Sequence, residues 1–195
     1  YVVMCDTTVI CNINFEDALE SHIKSGADVT AIASRGIQPY ETVDSDVFMK
    51  ANADNKVIDL SIGQNIGDDS LVGMGMFIVE RKFLMSVINN YVSRGRYSFE
   101  KDFLLSRFTD DSININTYIF DGPVLRNHSI VSYFKNNFKI MEEDIRNNIF
   151  NPSFPIYTKV RDEAPSYYAE TGKVSDSLIA DGCQIKGKLE NTVVF

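Results

Sequence analysis

The sequence predicts an α/β layered domain followed by a short parallel β-helix. Three observations carry this. Apolar runs of strand type alternate with capped amphipathic helices as far as about residue 150. Pro152 and Pro155 then interrupt helical propensity, which sets a boundary near Asn151-Pro152 and divides the chain into 1–150 and 151–195. Beyond them aliphatic and small apolar residues recur six apart, Ile179 with Ile185 and Cys183 with Leu189. A period of six fits neither a helix nor an alternating strand, but it fits short strands that point aliphatic side chains into a narrow prism. Val174, Ile179 and Ile185 are therefore expected to point inward, and Asn191 breaks the repeat by taking the next aliphatic place.

The elements follow in order. Tyr1 to Cys5 is a short strand-type run. Asn14 is an N-cap for a helix with Phe15, Ala18, Leu19, His22 and Ile23 on one face, stopped by Gly26. Asp28 to Ala33, Lys56 to Ile62 and Gly75 to Val79 read as strands, the last of buried type. Phe83, Leu84, Val87, Ile88 and Tyr91 share one face of a second helix that ends near Gly95. Ser98 caps a short helix with Phe99, Phe103 and Leu104. Ile115 to Phe120 is a strand, and Ser129 caps a longer helix through Ile130, Phe134, Met141 and Ile145. This alternation predicts a mostly parallel sheet.

Composition narrows the function. A net charge of −8 argues against a nucleic-acid partner, because phosphate binding relies on clustered Lys and Arg. No apolar run approaches the roughly 18 residues of a membrane span. Cys5, Cys11 and Cys183 have no metal-site spacing, which fits a reduced, cytoplasmic protein. The chain opens on Tyr1 and closes in mid-pattern on Thr192-Val193-Val194-Phe195, as a piece of a longer protein would.

Searches for a catalytic constellation mostly fail. Gly73-Met74-Gly75-Met76 is the nearest approach to a phosphate loop, but it precedes a strand instead of opening a helix, so close backbone packing explains it better. His22, on an apolar helix face, reads as a satisfied boundary histidine. Asp68-Asp69 and Asp110-Asp111 read as solvated turns. Lys159 and Arg161 alternate onto one face near the junction. They are the candidate contacts for a phosphate-bearing regulator, against the simpler reading of a solvated basic pair.

An α/β domain that runs through Pro155-Ile156-Tyr157-Thr158-Lys159-Val160-Arg161-Asp162-Glu163 into hexapeptide coils resembles the ADP-glucose pyrophosphorylases, or glucose-1-phosphate adenylyltransferases. Within them it is most similar to the GlgD-type subunit of Gram-positive glycogen synthesis. Val2 to His22, Gly73 to Val79 and Pro155 to Phe195 carry the likeness most strongly. The resemblance implies the C-terminal part of a Rossmann-like nucleotidyltransferase domain over 1–150, and a linker with the first coils of a left-handed parallel β-helix over 151–195. The family's glycine-rich nucleotide loop would lie upstream of Tyr1.

The departures from the family's catalytic pattern are more telling. Catalytic members follow the first strand with Ser-Gly-Asp-His, whose Asp holds Mg²⁺; here Thr8 takes that place in Asp6-Thr7-Thr8-Val9. A second metal Asp falls in Gly-Tyr-Trp-Lys-Asp-Val-Gly-Thr, and Arg126 stands there in Gly122-Pro123-Val124-Leu125-Arg126-Asn127-His128-Ser129. The sugar-phosphate motif Phe-x-Glu-Lys-Pro becomes Leu60-Ser61-Ile62-Gly63-Gln64, with Ile62 for Glu and Gly63 for Lys. Gly73 replaces the Ser of Ser-Met-Gly. Mg²⁺ needs oxygen ligands, commonly carboxylates plus substrate phosphates. A neutral Thr8 is a weak ligand, and Arg126 brings positive charge to a cation site. Asp6 sits about 6.6 Å from the vacated place along a strand, too far for the same ligand geometry, and reads as a turn-starting residue. The resemblance thus implies vestigial positions at Thr8, Ile62, Gly63, Gly73 and Arg126, no catalytic residue and no cofactor of its own, where catalytic homologues use Mg²⁺. It implies an inactive accessory subunit that joins a catalytic subunit in a hetero-oligomer, with self-association of this fragment through cut edges. The rival reading is an active sugar-1-phosphate nucleotidyltransferase that makes ADP-glucose from ATP and glucose 1-phosphate. A hexapeptide-repeat acyltransferase is weaker, because the β-helix segment has no His.

Overall fold

The computed structural model describes residues 1–36, 43–159 and 162–195. They form two compact units, Tyr1–Val9 with Ile13–Val124, and Ile10–Asn12 with Leu125–Phe195. In chain order the elements begin with β1 (Val2–Cys5), β2 (Val9–Ile10), α1 (Phe15–Ser25), β3 (Val29–Ser34), β4 (Val47–Ala51), β5 (Val57–Ile62), β6 (Leu71–Val79) and α2 (Arg81–Val92). A π-helical segment (Phe99–Leu105) runs into α3 (Ser106–Thr109) and is followed by β7 (Ile115–Phe120) and β8 (Leu125–Arg126). Then come α4 (Ile130–Lys139), α5 (Glu143–Ile149), β9 (Tyr167–Tyr168), β10 (Lys173–Ile179), β11 (Gln184–Ile185) and β12 (Lys188–Val194).

The first unit is built on a six-stranded sheet in the order β5-β4-β6-β3-β7, with β1 also paired to β6. The sheet is mixed. β6 runs antiparallel to β1, β3 and β4, and β3 with β7 is its parallel pair. The expectation of a mostly parallel sheet is corrected by β4, which sequence periodicity missed. Its short turn into β5 can join only antiparallel strands, whereas a parallel pair needs a crossover of a dozen residues or more. The Gly73-Met74-Gly75-Met76 run lies inside β6, not ahead of it. The register between β3 and β6 shifts at Ile32/Ala33, opposite this run, and Gly75 there has φ 65°. A bulge of that kind needs glycine, because a positive φ costs other residues about 1–2 kcal/mol.

Helices cover the sheet because β3 is buried at every position. Asn14 caps α1 by accepting from the Glu16 N–H, and Gly26 closes it at φ 62°. Its buried residues are Ala18 and His22, while Ile23 of the expected face is exposed. On the core face α2 buries Leu84, Val87 and Tyr91. Phe99 and Phe103 of the π-helical segment stack at 5.0 Å, and Phe99 meets Phe77 of β6 at 5.1 Å. Fully burying a side chain such as Phe103 or Leu104 contributes about 1.5–3 kcal/mol. The tip of the β4–β5 hairpin turns back to the outer edge of β7, where the Thr117 N–H donates to the Asn55 carbonyl (2.8 Å) and Lys56 bridges Asn116.

In the second unit the expected single helix after Ser129 is two, α4 and α5, broken over residues 140–142. Ser129 and Ser132 form a reciprocal cap at the start of α4. This helix buries its polar Ser132 and Asn136 and leaves Ile130 (79%) and Phe134 (63%) exposed, so the apolar face read from sequence is the outer one. Asn136 explains the inversion. Its Nδ2 donates to the Arg126 carbonyl (2.9 Å) and to Asn127 Oδ1 (2.8 Å), which fastens α4 to β8. Asn12 does similar work for α5, donating to the carbonyls of Ile149 (3.2 Å) and Phe154 (2.8 Å).

The tail pairs in parallel. Lys173 faces Lys188 and Ile179 faces Val194, a constant offset of 15 residues, and β9 pairs with β11. Asp176 and Asn191, also 15 apart, both have positive φ (42° and 51°). Asn191 therefore fills a repeated corner, a place Asn and Asp tolerate better than aliphatic residues do. Ile185 is buried and Ile179 half-buried, but Val174 is 37% exposed, against the expectation that all three point inward. Val174 lies at the start of β10, where no earlier rung covers it among the described residues.

Candidate functional site

The turn after β1 is organised by Asp6. Its N–H donates to the Gly75 carbonyl (2.9 Å), and its Oδ1 accepts from the N–H groups of Thr7 (2.6 Å) and Thr8 (3.2 Å). Asp6 is thus the turn-starting residue that the sequence indicates. A Cβ on Gly75 would lie 2.8 Å from Asp6 Cβ, so glycine is required on both backbone and contact grounds. Thr8 is half-buried, and its Oγ1 is enclosed without a hydrogen bond.

Ile62, Gly63 and Gly73 are brought together around residues 44–47. Ile62 pairs with Val47, and the Gly63 N–H donates to the Asp46 carbonyl (2.8 Å). Gly63 has φ 75°, and a Cβ there would stand 2.5 Å from the Asp44 carbonyl oxygen. A Cβ on Gly73 would lie 3.2 Å from the Val47 carbonyl. Both glycines let the backbone close on the segment that leads into β4, and Gly73 pairs with Ala33 near the carboxyl end of β3.

Arg126 belongs to the second unit, at β8, and is 2% exposed. Lys159 is exposed and lines a concavity with Glu163, Asp181, Cys183 and Phe195. Arg161, its proposed companion, lies outside the described residues. Among the described residues no group of three His, Cys, Asp or Glu side chains is placed to hold a metal ion. No helix among them is long and apolar enough to cross a membrane.

Sequence reasoning missed a polar cleft in the first unit, about 800 Å³ in volume, between α1, the hairpin tip and the start of β7. Its residues come from three separate stretches, and no linear motif joins them. Behind it lies a buried network. His22 Nδ1 is 2.8 Å from Thr30 Oγ1, and Asn116 Nδ2 reaches Thr30 Oγ1 and Ser21 Oγ, each at 3.3 Å. His22 is 3% exposed, and Tyr1 packs edge-on against its ring at 5.2 Å. Burial, and secondly the N-terminal ammonium, hold its pKa below the ordinary histidine value, with Asp28 opposing. The expected satisfied boundary histidine is what the structure contains. Asp69 of the Asp68-Asp69 pair meets Lys50 at 3.0 Å in solvent, as a surface turn residue would.

No family model matches the chain. Several relatives align over its full length, among them the following three. A glycogen biosynthesis protein GlgD of Geobacillus stearothermophilus is 30% identical over 195 residues, 46% of that protein. The GlgD of Bacillus subtilis is 23% identical over 195 residues, again 46% of its length. A glucose-1-phosphate adenylyltransferase of Pseudothermotoga lettingae is 23% identical over 197 residues and 46% of its length. The chain therefore spans about half the length of the curated relatives it matches.

Proposed function

We propose, because the chain matches the ADP-glucose pyrophosphorylase family and within it the GlgD type, that its parent protein is a catalytically inactive accessory subunit in glycogen biosynthesis. It joins a catalytic glucose-1-phosphate adenylyltransferase in the cytoplasm and modulates it. Residues 1–150 are the C-terminal part of the nucleotidyltransferase domain, and 151–195 the linker and first coils of a left-handed β-helix. The parallel pairing of β10 with β12 and of β9 with β11 supports that tail.

Gly63 carries the reading of inactivity. It stands where catalytic members present a lysine to the sugar phosphate. A side chain there would meet the Asp44 carbonyl at 2.5 Å from a backbone at φ 75°. The ammonium is missing, and the backbone that would present it is shaped for glycine. The donors also do not fit Mg²⁺. Thr8 offers a hydroxyl, and Asp6 Oδ1 is engaged by two backbone amides. A hard dication competes poorly for such a set. Arg126, in the place of the second metal carboxylate, is a buried cation.

The test is ADP-glucose formation by the full-length parent alone. No turnover above background is expected, and faster turnover when it is added to the catalytic subunit of the same cell. Robust Mg²⁺-dependent synthesis by the isolated parent selects the rival reading, an active adenylyltransferase. Failure to co-purify with the catalytic subunit, or to change its kinetics, removes the accessory role.

A further inference from the structure

A smaller cavity, about 190 Å³ in volume, opens in the first unit between α2, the π-helical segment with α3, and the turn into β7. Ser112 and Ile113 on its wall lead into the amino end of β7. In α/β sheets substrates bind at the carboxyl ends of strands, so this cavity is separate from any substrate pocket. Its floor, its rim and its size each narrow the ligand.

The floor is apolar and aromatic. Phe83 and Tyr91 meet Phe103 edge-on at 5.9 and 5.7 Å, and Val87 and Ile113 complete it. The rim offers donors and no carboxylate. Arg107 donates from Nε to the Tyr91 hydroxyl (3.1 Å), which fixes the guanidinium beside the cavity. Its Nη1 makes only a long contact to Ser112 Oγ (3.5 Å), and it enters no ion pair among the described residues. Asp110 and Asp111, close in sequence, neither line the cavity nor pair with it. Tyr91 is 8% exposed; its oxygen accepts from Arg107, and its own proton has no acceptor among the described residues. The serine protons are spent, Ser86 donating to the Phe83 carbonyl (2.7 Å) and Ser112 to the Arg107 carbonyl (3.2 Å). A second cation, Arg96, stands over the Tyr91 ring at 5.5 Å. The unspent capacity is therefore donating and positive, above an apolar floor. A neutral hydroxylated ligand would leave the guanidinium without a counter-charge. A phosphate would press several charged oxygens onto aromatic and aliphatic surface. One carboxylate on an apolar body satisfies both rim and floor, because the planar guanidinium matches a carboxylate with two parallel N–H donors.

We infer that this cavity binds a small apolar monocarboxylic acid, with its carboxylate on Arg107 and the Tyr91 O–H and its body over Phe83, Val87 and Phe103. Size sets the body. An apolar cavity of about 150 Å³ takes one benzene ring. The 190 Å³ here takes one ring, or a branched chain of similar bulk, with its carboxylate. That is below the roughly 300 Å³ at which ordinary ligand pockets begin, so a Kd of the order of 1 mM is expected. The carboxyl terminus of a peptide offers the same chemistry, but the backbone behind it exceeds this volume. The inference is independent of catalysis, since an active enzyme could carry the same cavity.

The test follows the fluorine signal of para-fluorobenzoate as full-length parent protein is added. Separate arms use para-fluorobenzyl alcohol, which keeps the body without the charge, fluoroacetate, which keeps the charge without the body, and a tripeptide ending in para-fluorophenylalanine. Saturable binding is expected for the benzoate, and binding weaker by about tenfold or more for the other three. Arg107→Gln should weaken benzoate binding about tenfold, the low end for a hydrogen bond to a charged group. Asn90→Asp adds a carboxylate to the exposed rim and should weaken it about as much. It leaves the floor untouched, so it decides the matter if Arg107→Gln fails to fold. Binding elsewhere in the parent would respond to neither variant. No saturable change by about 20 mM benzoate overturns the inference. So does equal binding of the alcohol or of fluoroacetate, tighter binding of the tripeptide, or an unchanged affinity in the folded variants.

Discussion

The two ends of β3 are finished by opposite means. At the sheet edge where β3 ends, the chain closes with backbone: Gly63 and Gly73 let the 44–47 segment pack where a side chain would stand. At its amino end side chains from α1, the hairpin tip and β7 leave a polar cleft over a buried histidine network. Backbone closure is rigid and leaves no room for a side chain at Gly63. Side-chain closure is adjustable, because it rests on hydrogen bonds between side chains.

The largest expected effect is at the sealed end. Gly63→Lys should destabilise the chain by about 3 kcal/mol, from a positive φ and a contact with a backbone oxygen that cannot swing away. Urea unfolding measures it, and calorimetry should show no gain in glucose 1-phosphate binding. A loss below about 0.5 kcal/mol, the range of surface changes, would mean that this end is not sealed. Gly73→Ser should cost less, about 1 kcal/mol, because a Cβ 3.2 Å from the Val47 carbonyl needs only a shift of a few tenths of an ångström. A stabilising Gly73→Ser would show spare room beside β4 and break the comparison at that strand.

Much of this was legible beforehand, for reasons that differ by element. Asn14, Gly26 and Ser98 announced their helices because capping is a local matter, settled by one side chain and its neighbouring amides. Thr8, Ile62, Gly63, Gly73 and Arg126 could be singled out because they are single residues set against spaced family motifs. β4 was not, since Val47 to Ala51 owes its strand to partners in β5 and β6. α4 misled for a related reason: Ile130 and Phe134 fix a periodicity, but Asn136's bonds to Arg126 and Asn127 decide which face turns inward. The cleft left no trace because its floor joins Ser21, Thr30 and Asn116 through long-range hydrogen bonds. His22 was half readable; its apolar face was plain, its partner Thr30 was not.

The smallest effect belongs to the open end and is a dependence on pH. His22 is held neutral by burial, and secondly by the N-terminal ammonium, so its folded pKa lies below the ordinary value near 6.5, Asp28 only partly offsetting this. The unfolded chain takes up the proton more readily than the folded one. His22 therefore stabilises the fold above pH about 6.5, and that contribution is lost as pH falls from there toward the lower folded value. Denaturation midpoints for the chain and for His22→Gln, compared from pH 7.5 down to about 5.5, isolate this term, because the carboxylates contribute equally to both. The wild-type midpoint should fall faster than that of His22→Gln. Parallel curves would show that the network at this end tolerates a charged ring and that only the glycine-sealed end is rigidly specified.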